Sequence, residues 1–167
     1  MTPRRQLAAS IAKFSPEVAA TARATLRIME KRLPGATRIV YDNYNALAIG
    51  FGPSERASDV VFSIAVFPRW VTLFFFNGTE LSDPERLLKG KGSRIRHIVL
   101  QEARDLERPG IRALMREALA IAEPPIPTRG KPPLIIRSIS VRQRPRRPTT
   151  NRGARAPRYG SVALRRR

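Results

Sequence analysis

Val60-Val61-Phe62-Ser63-Ile64-Ala65-Val66-Phe67-Pro68-Arg69-Trp70-Val71-Thr72-Leu73-Phe74-Phe75-Phe76 is the stretch whose reading decides the fold. Its β-branched and aromatic residues fall into two short runs, Val60–Phe67 and Trp70–Phe76. Such runs read as strands, and Pro68-Arg69 between them as the tight turn of a hairpin. The first run has one polar side chain, Ser63, and Val71–Phe76 has only Thr72. A sheet with helices on one face should alternate apolar and polar residues. These runs do not, so both faces are expected to be shielded from water. The second face must meet the chain's own segments, a partner subunit in a homodimer, or a ligand in an apolar pocket.

Working outward, Thr37–Tyr41 and Ala46–Phe51 read as two earlier strands. Asp42-Asn43-Tyr44-Asn45 forms the polar turn between them, and Gly52-Pro53 ends the second. Asn77-Gly78 is a turn pair, and Arg94–Leu100 a fifth strand. The links are short, which favours an antiparallel meander. A helix is expected over Pro16–Leu33, with Ser15 as N-cap, Pro16 at its first position and Pro34-Gly35 as its stop. Ala22, Leu26, Met29 and Leu33 give it one apolar face. A shorter helix is expected around Arg5–Lys13, a one- or two-turn helix over Asp83–Gly90, and a last one over Pro109–Ala122. The fold class is therefore α+β: a five-stranded, mainly antiparallel sheet with N- and C-terminal helices packed on it.

Charge divides the chain. Residues 1–123 hold all 13 Asp and Glu and 19 of the 32 Lys and Arg, a net charge of +6. Residues 124–167 hold the other 13 basic side chains and no acid, a net charge of +13. We divide the chain into a body (1–123), a Pro-rich linker with a candidate docked strand at Leu134–Val141 (124–141), and an Arg-rich tail (142–167). The tail is too poor in apolar residues to order itself and is expected to be disordered. There is no cysteine, hence no disulfide or thiol chemistry. No run of about 18 apolar residues spans a membrane, and no secretory h-region follows Met1. The expected location is cytoplasmic.

No catalytic, metal or cofactor motif stands out. His97, the one histidine, shares strand parity with Ile95 and Val99 and reads as a structural residue. Gly90-Lys91-Gly92-Ser93 lacks the Lys-Ser/Thr pair that follows the second glycine of a P-loop, and a strand follows it rather than a helix. A helix stop is the simpler reading, with an anion nest as the alternative. Tyr41, Asp42 and Asn43, together with Lys91, Arg94, Arg96 and His97, form the candidate small-ligand set. Trp70, Phe67 and Phe74–Phe76 read as core rather than as a base-stacking platform. The strongest functional signal is the tail. Arg142, Arg144, Arg146, Arg147, Arg152, Arg155, Arg158, Arg165, Arg166 and Arg167 are candidate polyanion-binding residues. Arginine stays charged and forks onto phosphate oxygens, so such binding would ignore sequence and fall with salt.

The order Phe76-Asn77-Gly78, Leu81-Ser82-Asp83-Pro84, Leu88-Lys89-Gly90-Lys91-Gly92 and Arg96-His97 resembles the YdhG-like family, a bacterial domain of unknown function. Tyr41-Asp42-Asn43 is similar to its Tyr-Gly-Asn loop, and Ile136–Ser140 to extensions of some members. The resemblance covers roughly 16–122 and implies a small α/β domain. Some members are described as frataxin-like iron chaperones. Here Pro68 and Trp70 stand where many members carry Lys and His, and Asp42 where the loop has Gly. The expectation is a non-enzymatic binding protein whose basic tail holds nucleic acid or another polyanion. The alternative is a small-molecule or metal-ion binding domain of the iron-chaperone kind.

Overall fold

The computed structural model describes residues 1–148. Thr2 opens the first helix, α1 (Pro3–Ala12), its hydroxyl accepting from the Arg5 amide. Ser15 opens α2 (Pro16–Arg32) in the same way, accepting from the Val18 amide. Pro16 sits where a missing N–H is harmless, while Glu17 and Lys31-Arg32 complement the two ends of the helix dipole. Val18, Ala22, Leu26 and Met29 form the buried stripe of α2.

The strands are β1 (Thr37–Asp42), β2 (Leu47–Gly52), β3 (Phe62–Val66), β4 (Val71–Phe75) and β5 (Arg96–Leu100). Each pairs antiparallel with the next, the pairs Ser63↔Phe74 and Phe74↔His97 fixing the register across the last three. Helix α3 (Pro109–Ile121) follows, and the chain then returns along the far edge as β6 (Leu134–Ile139). This last strand runs parallel to β1, an arrangement that needs a long crossover; α3 and the Pro-rich stretch supply it. The sheet order is β5-β4-β3-β2-β1-β6. The protein is thus α+β with a mixed sheet of six strands, one more than the five expected.

Strand parity sorts the two faces. Val40, Ile49, Phe51, Phe62, Ile64, Leu73, Phe75 and Ile98 point toward the helices and are buried there with Leu7, Phe14, Leu26, Met29 and Leu114. Phe62 and Phe75 meet edge to face, with centroids 5.5 Å apart. The second face carries Ile39, Ser63, Ala65, Thr72, His97 and Val99, and all six are also buried. Much of the second face is therefore shielded too, with Phe74 on it half-buried. Part of the cover is local: a side chain added at Gly50 would stand 3.3 Å from the Val60 methyls.

Two local expectations fail. No helix forms over Asp83–Gly90. The Asp83 carboxylate accepts from the Leu87 and Leu88 amides at 2.8 and 3.0 Å, but Asp83 and Arg86 themselves take left-handed φ values of 45° and 54°, so the segment closes into a loop. The disorder expected from Arg142 onward does not apply to residues 142–148, which fold back onto the body. Residues 149–167 lie outside the described residues.

Candidate functional site

Two cationic regions stand out, and burial separates them. The first is a cradle at the C-terminal end of β1. Asp42 has the strand parity of Val40, so its carboxylate points to the helix side, where it is 1% exposed. A carboxylate buried this deeply needs partners. Ser10 of α1 donates to Oδ2 at 2.7 Å, and Arg146 donates to Oδ1 at 2.7 Å. Lys13 Nζ lies 3.9 Å away on the solvent side. Arg146 is itself only 6% exposed. Its Nη2 also donates to the Asn43 carbonyl at 2.5 Å, and its guanidinium lies 5.5 Å from the Phe14 ring centroid. Its Nε has no hydrogen-bond partner among the described residues. Backbone bonds from Ser140 to the Asp42 carbonyl and from Arg144 to the Tyr44 carbonyl tie the same segment to the β1–β2 turn.

The cradle bears on two of the candidates. Arg146, a candidate polyanion-binding residue, has its charge matched by an internal carboxylate and is closed off from solvent. Asp42, a candidate small-ligand residue, is buried with each carboxylate oxygen already accepting a hydrogen bond. Arg142, Arg144 and Arg147 are exposed in the same segment. Arg152, Arg155, Arg158, Arg165, Arg166 and Arg167 fall outside the described residues.

The second region is an open groove of about 1160 Å³ along the second face of the sheet. Phe74 of β4 and His97 of β5, with rings 5.4 Å apart, lie at its floor. Phe67 and Trp70, 5.9 Å apart, reach it from the β3–β4 turn. The loop Gly90–Ile95 forms one wall, placed by a bridge in which Lys89 and His97 exchange backbone hydrogen bonds of 2.9 and 2.8 Å. Gly90 takes a φ of 134°, a conformation that favours glycine. Arg144, Pro145, Arg147 and Pro148 form the opposite wall beside Asn45.

Charge is what sets the groove apart. Among the described residues its lining includes Arg69, Lys91, Arg94, Arg144 and Arg147 and no Asp or Glu. Among the described residues none of these five forms an ion pair. Arg94 and Arg144 donate to neutral amide oxygens, of Asn77 at 2.7 Å and Asn45 at 3.2 Å, and Arg147 to the Lys13 carbonyl at 3.2 Å. Such bonds orient the guanidinium groups without neutralising them.

The groove brings together Lys91, Arg94 and His97 of the candidate small-ligand set. It leaves out Tyr41, Asp42, Asn43 and Arg96; the last donates to the Gly92 and Ile95 carbonyls and so shapes the loop. Four residues read as core belong to it instead. Phe67, Trp70, Phe74 and Phe76 are half-buried, whereas Phe14, Phe51, Phe62 and Phe75 are fully buried. The signal was parity: Phe74 and Phe76 stand on the opposite side of the strand from Phe75. Among the described residues no three His, Cys, Asp or Glu side chains gather as a metal ion would require. Among them, too, no helix is long and apolar enough to cross a membrane. No protein-family model, curated protein or solved structure matches this chain.

Proposed function

We propose that this is a non-enzymatic binding protein for nucleic acid or another polyanion, and that its seat is the groove rather than the tail as a whole. The observation that carries this reading is the lining: among the described residues, five cationic side chains and no carboxylate. Cations gathered in a concavity without carboxylates concentrate positive potential there and draw in anions. The net charge of +19 adds a long-range attraction to the same partners. Arg144 and Arg147 place the start of the tail on the rim, so the two sources of charge are continuous.

Elution from heparin tests the reading. Full-length Lys91→Glu/Arg94→Glu should elute at lower salt than the unaltered protein. Its log K for nucleic acid against log salt should be shallower by about 1 for each phosphate it no longer neutralises. Elution at unchanged salt would remove the groove from the interaction.

A further inference from the structure

We infer that the groove takes single-stranded nucleic acid, with bases stacked on Trp70 and Phe74 and phosphates on the cationic rim. This rests on the polyanion reading above and narrows it to one ligand class.

Two independent features of the lining point to a ligand that carries both rings and charge. The first is aromatic. Trp70 and Phe74 are half-buried although the helix-side core has room for four fully buried phenylalanines, so ring surface is left facing the groove. A partly exposed ring offers a stacking partner to any base, because every base has a π-face. The second is ionic. Lys91 and Arg94 on one wall, with Arg144 and Arg147 on the other, flank the rings. A single strand presents this alternation of planar apolar bases and phosphates. A duplex does not, because its base faces are already stacked on each other and a concave floor cannot reach them. Heparin and polyphosphate carry charge but no planar base. The groove is also open along the sheet face, as an extended occupant requires.

Trp70 is the only tryptophan of the chain, so its fluorescence reports on this site alone. The experiment titrates the full-length protein with an oligo-dT, a duplex of equal charge, and heparin. Each is followed by Trp70 emission and by competition against labelled oligo-dT. Oligo-dT should quench Trp70, whereas heparin should bind without quenching. Trp70→Leu and Phe74→Leu, which keep apolar volume, should each weaken oligo-dT by at least about fivefold and leave heparin elution unchanged. Trp70→Phe, which keeps a ring, should retain most of the affinity. Thermal melts confirm that each variant is folded, and Phe74→Leu carries the comparison should Trp70→Leu not fold.

The inference is overturned if oligo-dT binds without touching Trp70 emission, if the leucine variants bind it undiminished, or if duplex displaces it at equal concentration. In those cases heparin binding still supports the general polyanion reading. Failure of all three polyanions to bind would sink both.

Discussion

Arg146 and its neighbours Arg144 and Arg147 belong to one short cationic run, yet they meet opposite fates. Arg146 turns inward to Asp42 and is sealed from solvent, while Arg144 and Arg147 stay exposed on the wall of a groove to which no described residue brings a carboxylate. The difference lies in what each can reach. A buried acid at the end of β1 recruits one guanidinium, and having recruited it, leaves the flanking ones uncompensated. Local composition cannot separate such residues; the distribution of the few acids across the folded body does. The buried pair also has a geometric effect. By anchoring residue 146 it fixes the wall that residues 144–148 add to the groove.

The largest effect expected from this contrast is on stability at the cradle. Removing one member of a buried pair leaves the other uncompensated, so Asp42→Ala should cost about 3–5 kcal/mol in urea unfolding. Replacing both partners by apolar residues, Asp42→Leu with Arg146→Met, should recover much of that loss. If Asp42→Ala unfolds at the same urea concentration as the unaltered protein, the cradle holds nothing together. A smaller effect is expected at Ser10. Its hydroxyl makes one charge-assisted bond to Asp42, so Ser10→Ala should cost about 1.5–3 kcal/mol.

The helices, the β3–β4 hairpin and the antiparallel meander were legible because their signals are local. Ser15-Pro16 is a local helix-start signal, and the β-branched and aromatic runs either side of Pro68-Arg69 read as two strands of a hairpin. Three features of the chain's course were not legible, two because a distant contact decides them and one because the backbone turns left-handed. Leu134–Ile139 has an apolar content that suggests docking, but nothing in it names β1 as its parallel neighbour. Asp83 looks like a helix cap, and its carboxylate does cap two amides, yet the left-handed backbone at Asp83 and Arg86 turns the segment into a loop. Arg146 sits in a sequence that reads as solvated tail; its partner lies 104 residues earlier. One clue was present: Asp42 shares the inward parity of Val40, and an inward acid calls for a cation. Of the groove, the loop Lys91–His97 was legible by its charge. The aromatic floor was not, since a run of three phenylalanines hides its alternation.

The smallest expected effect concerns pH. Burial alone would raise the Glu30 carboxyl, but hydrogen bonds and charge from Arg4 and Arg38 outweigh it and hold it below the usual carboxylate range. Glu30 ties α1, α2 and β1 together through those two arginines, and Arg38 also donates to the Pro132 carbonyl. A lowered folded-state value means the contribution is fully present above the unfolded-chain value of about 4.3 and is lost as pH falls through the folded one. Acid unfolding of Glu30→Gln should therefore be flatter below about pH 4.3 than that of the unaltered protein. Parallel acid limbs would show that the three charged groups are not coupled to folding.

The most direct test of the division between buried and groove-lining cations compares two variants in two assays: Arg146→Gln and Arg144→Gln/Arg147→Gln, each measured for urea midpoint and for salt of elution from heparin. The predicted result is a lowered midpoint for Arg146→Gln. For the double variant it is an unchanged midpoint, within about 0.5 kcal/mol, with elution at lower salt. An Arg146→Gln protein as stable as the unaltered one, or a double variant that loses stability and keeps its heparin affinity, would contradict it.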